Sequence, residues 1–192
     1  MKSIDSIQNA PIGVFDSGVG GLTVAREIMR QLPKEKLVYF GDTARVPYGS
    51  KSQTTIIRYT KQIVRFLQTK QVKAIVVACN TASAFALEEV AKTLDIPIIG
   101  VVKPGAKVAA ETTKNGKIGV IGTEGTIDSK IYTRVIHQQN EKAQVLGKAC
   151  PLFVPLVEEG WLNDPVTVQV AQRYLAPLID TGIDTLIMGC TH

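Results

Sequence analysis

Two cysteines, Cys79 and Cys190, each follow directly on a short apolar run, residues 75–78 and residues 186–189. Such runs are typical of strands that are buried on both faces of a parallel sheet. Ligands of these sheets bind beyond the carboxyl ends of the strands. A thiol at each of two strand ends could support a two-base reaction, in which one thiolate removes a proton from carbon and the other thiol returns one to the opposite face. Such a reaction inverts the carbon without a cofactor.

The same thiols also have a purely structural interpretation, because a cysteine behind an apolar run is often a small core residue. The equivalent positions of Cys79 and Cys190 in the two halves of the chain favour a catalytic role over a structural one. The third cysteine, Cys150, matches neither position, and we expect it to be structural. An odd number of cysteines without a CxxC pair argues against a disulfide framework and a tetrahedral zinc site. We therefore predict no metal.

Small polar residues surround the first thiol in the sequence. Asn80 and Thr81 follow Cys79 and begin a predicted helix, whose N-terminal N–H groups would stabilise a thiolate or bind a carboxylate. Asp16 and Ser17 end another apolar run and enter a glycine-rich turn, whose N–H groups would stabilise a carbanion-like transition state. Asp16 could exchange a proton with Cys79, or it could cap the turn.

Ionisable residues also lie near the second thiol. His192 follows Cys190 by two residues and could relay its proton, since histidine titrates near neutral pH; alternatively it is a frayed terminal residue. We expect Glu158 and Glu159 to begin or cap a helix, although either carboxylate could orient His192 or Cys190. The sequence does not choose between these two glutamates.

Strand-like runs alternate with helical stripes, which predicts a parallel sheet with helical crossovers. The predicted strands cover residues 12–15, 37–40, 74–78, 96–100, 118–121 and 185–188, with one more near Val145. The predicted helices cover residues 22–32, 56–67, 85–94 and 127–139, with one more after Pro165. This order is typical of a doubly wound α/β protein.

The second half of the chain repeats the pattern of the first. Residues 12–21 resemble residues 118–126, because both are strands that enter a glycine-rich turn, and each half then ends an apolar run with a cysteine.

We therefore predict two similar α/β domains, residues 1–100 with Cys79 and residues 101–192 with Cys190. They are expected to be related by a pseudo-twofold axis, with the active site in the cleft between them.

Composition agrees with one or two small globular domains: the chain has 192 residues, of which 45% are apolar and 20% charged. The net charge of +5 suits an anionic ligand but falls short of a nucleic-acid footprint. No apolar run is long enough to span a membrane, and residues 1–5 lack an apolar signal core. We expect a cytoplasmic protein.

Five segments carry a family resemblance: residues 13–22, 39–49, 77–83, 122–126 and 189–192. Together they resemble motifs of the glutamate racemases, which belong to the aspartate/glutamate racemase superfamily and supply D-glutamate for bacterial peptidoglycan. The match covers almost the whole chain.

The resemblance implies a fold of two α/β domains in a homodimer, with glutamate as the substrate and without a cofactor. It implies that Cys79 acts on the D-enantiomer and Cys190 on the L-enantiomer, assisted by Asp16 and His192. The substrate-lining residues that it implies are Asp16, Ser17, Tyr48, Gly49, Asn80, Thr81, Thr123, Glu158 and Thr191.

One departure from the family concerns the end of the chain. Relatives continue for several tens of residues beyond the Cys-Thr-His motif and return to complete the first domain. We expect a truncated racemase that keeps its catalytic residues but folds less stably and has uncertain activity.

Three alternatives remain open. The runner-up to glutamate is a racemase of aspartate or another small acid that uses the same paired thiols. A truncated chain could instead be an inactive amino-acid-binding module. The turn at Gly18, Gly20 and Gly21 allows a nucleotide-binding domain, but Thr23 stands where G-x-G-x-x-G requires its last glycine.

Overall fold

A computed structural model describes residues 8–192, so the N-terminal residues considered above for a signal core lie outside the described part. The chain forms two compact units. Unit 1 contains the residues up to Val101 together with Thr191, and unit 2 contains Val102–Cys190 together with His192.

Unit 1 is built on a four-stranded parallel sheet in the order β2-β1-β3-β4. Its elements in chain order are β1 (Ile12–Asp16), α1 (Leu22–Gln31), β2 (Leu37–Gly41), α2 (Gln53–Thr69), β3 (Ala74–Val77), α3 (Asn80–Phe85), α4 (Leu87–Ala91) and β4 (Ile98–Gly100).

Helices cover both faces of this sheet. Phe15 and Val77 lie in one core cluster with Ile56 and Leu67 of α2, whereas Val14 packs in a second cluster with α1. Because successive strand residues point to opposite faces, these clusters lie on the two sides of the sheet. Unit 1 is therefore doubly wound.

Unit 2 contains a three-stranded parallel sheet in the order β6-β5-β7. Its elements in chain order are α5 (Val102–Thr112), β5 (Lys117–Gly122), α6 (Glu124–Asp128), α7 (Ile131–His137), β6 (Gln144–Ala149), α8 (Phe153–Glu158), α9 (Pro165–Asp180) and β7 (Thr185–Gly189). In both units the first strand is central, with the second strand on one side and the third on the other. The predicted α/β class and the repeated pattern are confirmed.

Two predicted helices are each divided in the structure. The helix predicted over residues 85–94 is instead α3 and α4, which meet at Ala86. The helix predicted over residues 127–139 is instead α6 and α7, because Lys130 between them adopts a left-handed conformation with φ of 52°. Such a residue breaks the helical hydrogen-bond ladder.

Other predictions needed smaller corrections. The strand predicted from residue 96 begins only at Ile98. Glu158 ends α8 and Glu159 caps its C-terminus, so neither acid begins a helix. Helices α5 and α8 were not predicted. Within residues 8–192, no helix is both long and apolar enough to cross a membrane.

Candidate active site

Cys79 lies two residues after the end of β3 and caps the N-terminus of α3. Its Sγ accepts a hydrogen bond from the backbone N–H of Ala82 at 3.5 Å, and the residue is 5% exposed. Asn80 and Thr81 form the first turn of α3 and are also buried. An N–H donor and the positive end of the helix both stabilise a thiolate. The local geometry therefore suits a cysteine that acts as a base.

Asp16 ends β1, which pairs directly with β3. The residue is fully buried, and its Oδ2 accepts the N–H groups of Gly18 and Gly21, each at 3.1 Å. The hydroxyl of Thr191 lies 3.4 Å from both carboxylate oxygens. Asp16 thus caps the turn, which is one of the two roles expected from the sequence. Its Oδ1 faces the hydroxyl of Thr191.

The Tyr39 phenol feels the charges of both Asp16 and Cys79, whereas the Tyr48 phenol feels that of Cys79 without Asp16. The pKa of the Tyr39 phenol is raised, first by burial and then by the negative charges of Asp16 and Cys79. The pKa of Tyr48 is raised by burial, by its hydrogen bond to Asp42 and, more weakly, by Cys79. The carboxylate and the thiol therefore lie within electrostatic reach of the same phenol, Tyr39.

Tyr48 is 2% exposed, and its hydroxyl donates to the carboxylate of Asp42. Asp42 is also buried and accepts from Nε of Arg45, whose guanidinium lies over the ring of Tyr59 at 4.2 Å. The Tyr48 hydroxyl proton is thus engaged within the protein. Gly49, the next residue, is half-buried.

The second thiol, Cys190, follows β7 and is half-buried. Nearby in the sequence, His192 places Nε2 2.9 Å from Oε1 of Glu158, and its side chain is only 9% exposed. Glu158, rather than Glu159, is therefore the carboxylate that lies beside the imidazole of His192. Thr123 follows β5 and caps α6, where its Oγ1 accepts from the N–H of Thr126.

Tyr132 lies against the strand that leads to Cys190. A Cβ added to Gly189 would be 3.2 Å from Cε2 of this ring. The pKa of Tyr132 is raised mainly by burial and further by the charge of Cys190. The second thiol therefore has a buried phenol near it, as the first has.

The polar neighbours of the two thiols come from different elements. Asp16 ends β1, but the corresponding residue at the end of β5 is Gly122, which has no side chain to offer. In unit 2 the carboxylate is instead Glu158 at the end of α8, acting on His192. The two units share a strand order but differ in the groups beside their thiols.

A search against family models matches residues 12–192 to the family described as Asp/Glu/Hydantoin racemase. The chain belongs to this family. A glutamate racemase from Geobacter metallireducens is 56% identical over 181 residues, which cover 94% of this chain and 67% of that relative. The resemblance drawn from the motifs is confirmed, and the enzyme is a racemase, an isomerase by class.

Solved racemase structures share the fold of this racemase-family chain. The structure of glutamate racemase isoform RacE1 from Bacillus anthracis has a TM-score of 0.92 at 48% identity, covering 95% of this chain and 69% of that chain. Glutamate racemase from Francisella tularensis in complex with D-glutamate gives a TM-score of 0.90 at 44% identity, covering 96% of this chain and 69% of that chain.

The sequence pointed to most polar groups at the strand ends of this racemase but missed Tyr39, Asp42 and Tyr132. Asp42 carried a signal, because it follows the end of β2 beside the end of β1, in the same way that Asp16 follows its own strand. Tyr39 begins one of the family segments but lies inside a predicted strand, and Tyr132 carried no signal, since it lies inside an apolar pattern that predicts core packing.

The described residues of this racemase, 8–192, contain no group of three or more His, Cys, Asp or Glu side chains arranged to hold a metal ion. All three cysteines are thiols rather than disulfides. Cys150 is 3% exposed, and burial raises the pKa of its thiol.

Proposed function

We propose that this chain interconverts L-glutamate and D-glutamate without a cofactor, with Cys79 and Cys190 as its two acid/base groups. The observation that supports this most directly is the position of the two thiols. Each follows the third strand of its own parallel sheet, at the edge where such sheets bind ligands, and each has a carboxylate-based partner system in its own unit. The choice of glutamate as the substrate rests on the relatives that are named as glutamate racemases.

The proposed reaction moves one proton to each side of the α-carbon. From D-glutamate, the Cys79 thiolate takes the α-proton while the Cys190 thiol donates its proton to the opposite face, which gives L-glutamate. Cys79 ends as the thiol and Cys190 as the thiolate, which is the state that the reverse reaction requires. Exchange with solvent restores the starting state.

Neighbouring groups would make this difficult proton transfer possible. Asp16 assists proton transfer at Cys79, and His192, oriented by Glu158, assists at Cys190. Backbone N–H groups at the start of α3 and in the turn after β1 are suited to the substrate carboxylate and to charge developing in the transition state. Small polar side chains would line the substrate, namely Ser17, Asn80, Thr81, Thr123 and Thr191.

We further propose a cytoplasmic homodimer whose D-glutamate enters peptidoglycan synthesis. The proposed domain division places Cys79 in residues 1–100 and Cys190 in residues 101–192, so that one substrate molecule would require both parts of the chain.

The test is α-proton exchange. The 192-residue chain is incubated separately with D-glutamate and L-glutamate in D₂O without pyridoxal phosphate, and α-deuteration is followed by NMR while inversion is followed by circular dichroism. Cys79→Ala and Cys190→Ala should each abolish inversion. Cys150→Ala is the matched control, because it removes a buried thiol outside the proposed chemistry and should retain inversion.

Three results would contradict the proposal. A folded wild-type chain that neither exchanges nor inverts glutamate would refute the function, and preferential turnover of aspartate would reassign the substrate. Inversion that survives in Cys79→Ala would refute the two-thiol mechanism while leaving a racemase.

A further inference from the structure

Tyr39 lies in the middle of β2, outside the set of residues that the proposed reaction uses. Its ring is half-buried, and its hydroxyl donates a 2.8 Å hydrogen bond to the backbone carbonyl of Gly18. Gly18 is the residue whose own N–H donates to Asp16. The Tyr39 phenol, on the neighbouring strand, is therefore bonded to the same turn whose N–H groups bind the buried carboxylate of Asp16.

The carbonyl of Gly18 is also confined from a second side. A Cβ added to Gly41 would lie only 2.4 Å from this oxygen, so the carbonyl rests directly against the backbone at the end of β2. The hydroxyl of Tyr39 and the bare backbone of Gly41 together leave the oxygen little room to move. The N–H and the carbonyl of Gly18 belong to successive peptide units joined at its Cα, so holding the carbonyl restrains the N–H through the φ and ψ angles of Gly18.

We propose that Tyr39 is a positioning residue, which orients Asp16 by holding the Gly18 carbonyl and thereby tunes proton transfer at Cys79. This inference deepens the proposed function and rests on it. Tyr39 acts through the turn and is not assigned any contact with substrate.

The ionisation of Tyr39 agrees with a role as a permanent donor. Burial, together with the negative charges of Asp16 and Cys79, raises the pKa of the phenol above its ordinary value. The hydroxyl therefore keeps its proton through the neutral and mildly alkaline range in which a racemase would be assayed. Its hydrogen bond to Gly18 is present in every charge state of the nearby thiol over that range.

The main experiment compares Tyr39→Phe with Tyr174→Phe. Each variant removes one hydroxyl from a half-buried ring, and the hydroxyl of Tyr174 accepts from the N–H of Leu152 at 3.4 Å in unit 2. Amide hydrogen exchange by NMR then reports on Gly18 and Gly21 directly. We expect exchange at these amides to quicken about three- to tenfold in Tyr39→Phe, the factor expected for one lost hydrogen bond, and to stay unchanged in Tyr174→Phe.

The catalytic readout is the pair of substrate isotope effects. In a two-base racemase, α-deuterated D-glutamate reports on the step at one thiol and α-deuterated L-glutamate on the step at the other. With Cys79 acting on the D-enantiomer, Tyr39→Phe should raise the isotope effect on D-glutamate and lower that on L-glutamate, with a fall in kcat/KM of about three- to tenfold. A merely structural role would lower Tm and leave this balance unchanged.

A second variant perturbs the same carbonyl from the other side. In Gly41→Ala the new methyl group must displace the Gly18 oxygen, so the isotope effects should shift in the same direction as in Tyr39→Phe. Agreement between the two variants would exclude an effect peculiar to the phenol.

The outcomes separate the two proposals. If Tyr39→Phe matches Tyr174→Phe in isotope effects, Tyr39 is not a positioning residue, whatever the amide exchange shows. Faster exchange at Gly18 and Gly21 together with the shifted isotope effects establishes it. A wild-type chain without racemisation would refute the proposed function and this inference with it, whereas unchanged amide exchange in Tyr39→Phe refutes the inference alone.

Discussion

Replacement of Gly21 by alanine should displace Asp16. Gly21 precedes α1 with φ of −65° and ψ of −7°, a conformation that any L-residue adopts, so the backbone itself does not oppose the change. The space does. The new Cβ would lie 2.5 Å from Cβ of Asp16, 2.9 Å from its Cγ and 3.0 Å from Cβ of Ala78. Carbon atoms pack at about 3.5–4.0 Å, so a shift of about 1 Å is required.

The expected cost follows from three contributions. Overpacking of this kind costs about 1–3 kcal/mol. Weakening the bond from the Gly21 N–H to the buried carboxylate adds about 1 kcal/mol, and the reduced freedom of the unfolded chain offsets about 0.4–1 kcal/mol. We expect Gly21→Ala to lower the free energy of unfolding by about 1–3.6 kcal/mol.

Gly105→Ala is a control of opposite sign. Gly105 lies inside α5, and its added Cβ would make only ordinary contacts, at 3.7 and 3.8 Å, with Tyr132. Alanine within a helix is favoured over glycine by about 0.5–1 kcal/mol. Urea unfolding followed by far-ultraviolet circular dichroism should therefore move the midpoint down for Gly21→Ala and up for Gly105→Ala. A Gly21→Ala chain as stable as wild type, with full racemisation, would refute the reasoning about Asp16.

Three further changes have defined expectations. Tyr48→Phe removes a donor from the buried carboxylate of Asp42 and should cost about 1–3 kcal/mol in urea unfolding; a loss below about 0.5 kcal/mol would contradict this. The pKa of Asp184 is lowered by the hydroxyl of Thr113 and by backbone N–H groups, so its stabilising effect is present above its unfolded pKa and lost on acidification. Asp184→Asn should therefore flatten the fall of Tm between pH 5 and pH 2, about the range in which the carboxylate gains its proton; an unchanged slope would contradict it. Iodoacetamide at neutral pH should label Cys150 more slowly than the half-buried Cys190 in peptide mass spectrometry, because burial raises the pKa of Cys150 and excludes the reagent; equal rates would refute this.

The sequence was most informative where a pattern was long or repeated. The apolar stripe of Ile56, Ile63 and Leu67 predicted the core face of α2, and the repeated pattern of the two halves predicted two similar parallel-sheet domains. These features depend on periodicity, which survives in a single sequence. Once the strands were predicted, the edge that carries the site residues was predicted too, because parallel strands place their ligand-facing residues at one edge of the sheet.

Local breaks and side-chain partners were less accessible. A lysine gives no sequence signal for the left-handed conformation that Lys130 adopts. Pro104 and Gly105 argue against a helix at α5, although proline is tolerated in the first turn of a helix. The pairing of His192 with Glu158 instead of Glu159 depends on where α8 ends. Boundary positions of this kind are set by tertiary packing and not by propensity.

The unlike surroundings of Cys79 and Cys190 agree with what homochirality demands of an enzyme that accepts both enantiomers. Two units assembled from L-residues with the same strand order have the same hand, so neither is the mirror image of the other. Exact duplication would therefore not provide enantiomorphic surroundings for the two enantiomers of a racemase substrate. A carboxylate from a strand end in one half and a histidine–glutamate pair in the other let each half present its own stereochemical environment.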